Sequence, residues 1–166
     1  MTITTALPDA ATQLGLLFQY TVEAYKTFQK LSEMLPNPLT ANMFANFAED
    51  ERNHRDLLEI KYAQSEGRIQ VTLGADLRFQ DMLEGDMSYR EITEFLIARE
   101  KTMEQKLMET ARSASSRDRN LFLYIVAGKK AHRMYLEREL DFIKLYPDWF
   151  RREDAESLVV LGEPGQ

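Results

Sequence analysis

Four stretches of this 166-residue chain repeat apolar side chains every three or four positions, and the links between them run short, long, short. A helix turning about 100° per residue gathers such positions onto one stripe. Leu14, Leu17, Phe18, Thr21, Ala24, Tyr25, Phe28 and Leu31 predict a first helix over about residues 9–34. The prolines of "LPNPLT" break it, and Thr40 is the expected N-cap of a second helix over about 41–65, with Phe44, Phe47, Glu51, His54 and Leu58 on its stripe. A third is expected over about 89–114 behind a Ser88 cap, with Ile92, Leu96, Glu100, Met103 and Leu107 aligned. "SASSRDRN" reads as a polar turn before a fourth helix over about 118–145, whose stripe holds Leu121, Ile125, Lys129, His132, Leu136 and Ile143. The closing "DWFRREDAESLVVLGEPGQ" is expected to hold a short fifth helix.

The links decide the topology. Short first and third links make two antiparallel hairpins, and the long link over about 66–87 is a crossover between them. Its "EGRIQVTLG" is expected to be extended and to lie across the outside of the bundle. The predicted fold is an all-α four-helix bundle in one domain, 1–166, with the bundle over about 9–145 and a C-terminal extension over 146–166. A weak internal repeat, "HRDLLE" against "HRMYLE" and "QKLSE" against "QKLME", sets the first hairpin beside the second.

Polar residues interrupt these apolar stripes at matching places. Glu51 and His54 share a face with Phe47 and Leu58, Glu100 sits among Leu96, Met103 and Leu107, and Lys129 and His132 sit among Ile125, Leu136 and Ile143. Burying a carboxylate or an imidazole alone is costly, so the cluster demands partners. Each piece has an ordinary reading: Glu-x-x-His arises by chance, a helix glutamate is usually solvated, and a lysine snorkels to an edge. The coincidence carries more weight. The chain's only two histidines end the phrases "EDERNH" and "AGKKAH", on the second and fourth helices, and Lys129 stands in the second phrase where Glu51 stands in the first. Oxygen and imidazole donors suit iron, manganese or zinc.

Composition narrows the classes of function. A net charge of -6 argues against broad binding to nucleic acid or anionic membranes. The absence of cysteine removes disulfides, thiolate catalysis and cysteine-ligated iron. No window approaches the apolar length of a membrane span, and "MTITTALPDAAT" has no basic segment ahead of an apolar run. The expectation is a cytoplasmic protein.

Connectivity and phrases together resemble the rubrerythrin-like branch of the ferritin-like superfamily, over about residues 9–145. The resemblance implies a ferritin-like four-helix bundle around a di-iron carboxylate centre, with Glu-x-x-His on helices two and four and a Glu on helices one and three. "FAEDERNHRDLL" matches the second-helix motif at Glu51 and His54, and "IAREKTMEQKL" resembles the third, with Glu100 as ligand. "AGKKAHRMYLE" matches the fourth at His132 and departs at Lys129; in the first helix Ala24 and Phe28 fit, but the glutamate place is Thr21. Glu23 lies too far round the helix to substitute, and Glu104 is the better spare. The pattern thus keeps the two bridging glutamates and loses the two outer ones. Lys129 is expected to salt-bridge Glu51, Glu100 or both where a second metal would lie. One ion, held by Glu51, His54 and Glu100 with His132 or with Thr21 and water, is expected rather than two; iron leads, with manganese and zinc open.

Three functional readings follow. The resemblance implies iron handling: an oxidoreductase acting on ferrous iron or peroxide, served by a separate electron donor because the chain has no cysteine-ligated domain. The second is a non-catalytic scaffold or binding protein whose core carboxylates are neutralised by Lys129. The third is an accessory protein whose tail, "ESLVVLGEPGQ", docks into a larger assembly. A homodimer is expected in each case.

Overall fold

Asn37 and Pro38 set the first reversal of the chain. In the computed structural model, which describes residues 10–64 and 87–162, helix α1 spans Ala10–Met34 and α2 spans Pro38–Gln64. The Asn37 side-chain oxygen accepts from the backbone N–H of Leu39 at 2.9 Å and of Thr40 at 3.3 Å, and Pro38 fills the first helical position, where its missing N–H costs nothing. The second helix therefore starts three residues before the expected 41, and Thr40 is not its cap. The Thr40 hydroxyl instead donates to Glu139 across the bundle.

Helix α3 spans Tyr89–Ser113 and begins as expected at Ser88, with a reciprocal cap: the Ser88 hydroxyl accepts from Glu91 N–H at 3.2 Å and Glu91 Oε2 accepts from Ser88 N–H at 3.0 Å. Helix α4 spans Ser116–Leu145, so only Ala114 and Ser115 lie between the two and most of "SASSRDRN" is helical. A tight reversal is stable here because Arg119 donates to the carbonyls of Ala111, at 3.1 Å, and Ala114, at 3.3 Å, which α3 leaves unpaired at its end. A 3-10 turn, Trp149–Arg151, and a short helix α5, Ala155–Leu161, complete the chain; α5 is the expected fifth helix.

Helix α1 packs along α2 and α3 along α4, while α2 and α4 meet at the centre. All four helices feed one core, in which Phe28 stacks on Phe44 at 5.9 Å and meets Phe47 edge-on at 5.4 Å. The architecture is an all-α bundle of two hairpins with a short C-terminal helix. The expected extended stretch "EGRIQVTLG" lies outside the described residues. Among the described residues no helix is long and apolar enough to cross a membrane.

Candidate metal centre

Where α2, α3 and α4 face one another, the apolar stripes give way to Glu51, Glu100, Lys129 and His132, none more than 1% exposed. The Lys129 ammonium donates to Glu51 Oε1 and lies 3.7 Å from Glu100 Oε2. His132 Nδ1 is 3.6 Å from Glu51 Oε1 and 3.8 Å from Glu100 Oε2, distances too long for hydrogen bonds. His54 Nδ1 stands 3.6 Å from the other oxygen of Glu51. One oxygen from each of Glu51 and Glu100 and one nitrogen of His132 lie within 4.8 Å of one another. His54 is buried beside this trio but outside it, wedged against the α4 backbone at Gly128.

Charges in so dry a place control one another. Burial pushes the Glu51 carboxyl up, but the ammonium of Lys129, aided by His54 and His132, outweighs it and holds the group at about 2. For Glu100 burial prevails over the same cations, and its carboxyl is raised. Burial would strip Lys129 of its proton, but the carboxylates of Glu100 and Glu51 keep it charged and raise it instead. Lys129 and Glu51 are therefore an ion pair, and Glu100 is the carboxyl readiest to hold a proton.

The other expected residues have separate destinations. Thr21 is buried, and its hydroxyl donates to the Leu17 carbonyl at 2.7 Å, so it adds no charge to the cluster. Glu104, the supposed spare, is taken by Arg133, with contacts of 2.5 and 3.3 Å. Glu23 is 4.0 Å from Lys26 on the outside of α1.

Two residues at the centre were not anticipated. The Tyr20 ring lies over Lys129, 4.8 Å from ammonium to ring centre, and burial together with the charges of Glu100 and Glu51 raises its phenol far above its usual range. Tyr20 shares the stripe of Leu17, Ala24 and Leu31, so the helical period could have found it. The Asp50 carboxylate accepts from His132 Nε2 at 2.9 Å while half exposed to solvent. Nothing in the sequence separates it from the solvated acids around it. His132 is further fixed by stacking on Phe47 at 4.1 Å.

Several donors at the centre have nothing to bind. Glu51 Oε2, Glu100 Oε1, His54 Nδ1 and His132 Nδ1 are buried without a hydrogen-bond partner among the described residues. Two carboxylates and an imidazole 3.6 to 3.8 Å apart suit a single ion with bonds of roughly 2.0–2.2 Å. The Lys129 ammonium already occupies the shared side of these carboxylates.

No curated protein matches the chain. A solved structure, a hypothetical protein from Pyrococcus furiosus, is similar with a TM-score of 0.69 at 15% identity, over 83% of this chain and 92% of that one. At that identity the likeness establishes the fold alone, an all-α bundle. The sequence profile described as Rubrerythrin matches residues 20–140, which takes in Glu51, His54, Glu100, Lys129 and His132. From its first bundle helix to its last, this chain belongs to the rubrerythrin family.

Proposed function

We propose that the bundle is a metal-binding protein that holds one divalent transition-metal ion through Glu51, Glu100 and His132, with Lys129 in place of a second ion. The observation that supports this most directly is the buried trio of donor atoms within 4.8 Å, in which Glu100 Oε1 and His132 Nδ1 have no hydrogen-bond partner among the described residues. A redox-active ion such as iron would supply one-electron exchange with dioxygen or peroxide. The protein's own part is electrostatic. Glu51 and Glu100 attract the cation, the Asp50 carboxylate fixes the ring of His132 through Nε2, and the Lys129 ammonium limits the negative charge to what one ion can satisfy. Reducing equivalents would come from a separate donor, since the chain has no cysteine.

The test is elemental analysis of untagged protein and titration of chelator-treated protein with ferrous iron, manganese and zinc, beside Lys129→Gln. One equivalent per chain is expected, with about tenfold tighter binding in the variant as the competing charge disappears. Two equivalents in the native protein, or none in either form, overturn the proposal. The Lys129–Glu51 ion pair favours a second reading, a non-catalytic bundle whose core is neutralised permanently; the result of no binding in either form would select it.

A further inference from the structure

A second buried carboxyl lies outside the metal centre. Glu139 of α4 is 5% exposed, and three donors converge on its Oε1: the Thr40 hydroxyl, the Tyr89 hydroxyl at 3.2 Å and the Trp149 indole N–H at 2.9 Å. Among the described residues none hydrogen-bonds its Oε2. Glu139 lines a cleft of about 620 Å³ between α2, α4 and the C-terminal segment, within the roughly 300–1,000 Å³ usual for small-molecule sites. Phe47, Tyr135, Phe142 and Trp149 line the cleft together with His132, and Asp50, which holds His132, brings a second carboxylate to it.

We propose that this cleft is a binding site for a small organic amine, its protonated nitrogen meeting Glu139 Oε2 and its apolar body lying against the aromatic wall. Three donors fixed on one oxygen leave the other as a preformed acceptor with a set direction. An acceptor beside aromatic faces is the arrangement that recognises ammonium groups. Among the described residues Arg138 is the one lysine or arginine lining the cleft; its guanidinium rests on the Tyr135 ring at 4.8 Å and forms no ion pair with Glu139. Burial raises the Glu139 carboxyl against the pull of its three donors and of the Arg138 charge. The overall charge of -6 favours the approach of such a ligand.

Trp149 is the chain's only tryptophan, and its N–H is bound to the same carboxyl, so its fluorescence reports on the cleft. Chelator-treated protein, free of metal at His132 on the cleft wall, is titrated with 2-phenylethylamine, 2-phenylethanol and phenylacetate. The amine is expected to change the emission saturably, and the alcohol and the anion to bind at least about tenfold more weakly. Glu139→Gln keeps the Oε1 acceptor but can place an amide N–H toward the cleft, and is expected to lose about tenfold in amine affinity. Asn46→Phe, at an exposed lining position on α2, fills the cleft without touching Glu139, should abolish the response, and serves if the Gln variant does not fold. Equal binding of the three probes, no saturable change, or an amine response that survives Asn46→Phe overturns the proposal.

Discussion

Lys129 is the residue on which the centre turns. Removing its charge leaves Glu51 and Glu100 facing each other fully buried, and breaking a buried pair from one side costs about 3–5 kcal/mol. Lys129→Met should lose that much stability in urea unfolding, and lose less at pH 5 than at pH 8, because the carboxyls can then take up protons. An unchanged midpoint at both pH values would show that the ammonium does not hold the core together. Gly128, one residue earlier, makes a sharper test of packing. Glycine inside a helix ordinarily costs about 1 kcal/mol against alanine. Here an added Cβ would fall 2.7 Å from His54 Cε1 and 2.8 Å from Nε2, so the imidazole must move. Gly128→Ala should therefore destabilise by about 1–2 kcal/mol rather than stabilise, with displaced His54 ring resonances in NMR spectra. Periodicity made Glu51, Glu100, Lys129 and His132 legible because it reports which way a side chain points along one helix. It did not report the Asp50 contact to His132 or the wedge of His54 on Gly128, since both depend on how two helices are turned toward each other.

At the scale of elements, the C-terminal segment is part of the bundle's closure. The Asn37 side-chain amide donates to the Trp149 carbonyl at 2.7 Å, and its backbone N–H donates to the Phe150 carbonyl at 3.1 Å. The same residue caps α2, so two elements depend on it. Asn37→Asp keeps the capping oxygen and loses the donor to Trp149; Asn37→Ala loses both. Stability should fall in that order, with Ala costing about 1–2 kcal/mol. Both variants should shift Trp149 emission toward that of a wetter indole. If Asp behaves like the native protein, the link to Trp149 contributes nothing; if Asp and Ala behave alike, the cap contributes nothing. The sequence marked the helices well where a cap is local, as at Ser88 with Glu91. It misled at Thr40, where Asn-Pro supplied the cap and the hydroxyl went to a partner 99 residues away, and at "SASSRDRN", where Arg119 closed the end of α3.

For the whole molecule, the charge inventory of the core predicts a dependence on pH. Glu51 is held at about 2 against an ordinary 4.5, so its contribution is complete above 4.5 and fades as pH falls toward 2; it is on the order of 3 kcal/mol. Glu100 runs the other way: raised above 4.5, it favours the fold at low pH and loses that contribution as pH climbs through its folded value. Lys129, also raised, supports the fold until pH exceeds its ordinary 10.5. Acid unfolding should accordingly track Glu51, and Lys129→Met should remove most of the acid-side slope. Restoring the family's outer carboxylates tests the same arithmetic from the opposite direction. Thr21→Glu with Lys129→Glu gives the core four carboxylates and no ammonium, a set that two divalent ions can neutralise and a metal-free fold cannot. The double variant should unfold well below the native protein in chelator, recover with ferrous iron or manganese, and hold two equivalents per chain. Should it be as stable as the native chain without metal, the carboxylates would have to be escaping the core, and Lys129 would not be standing where a cation is required.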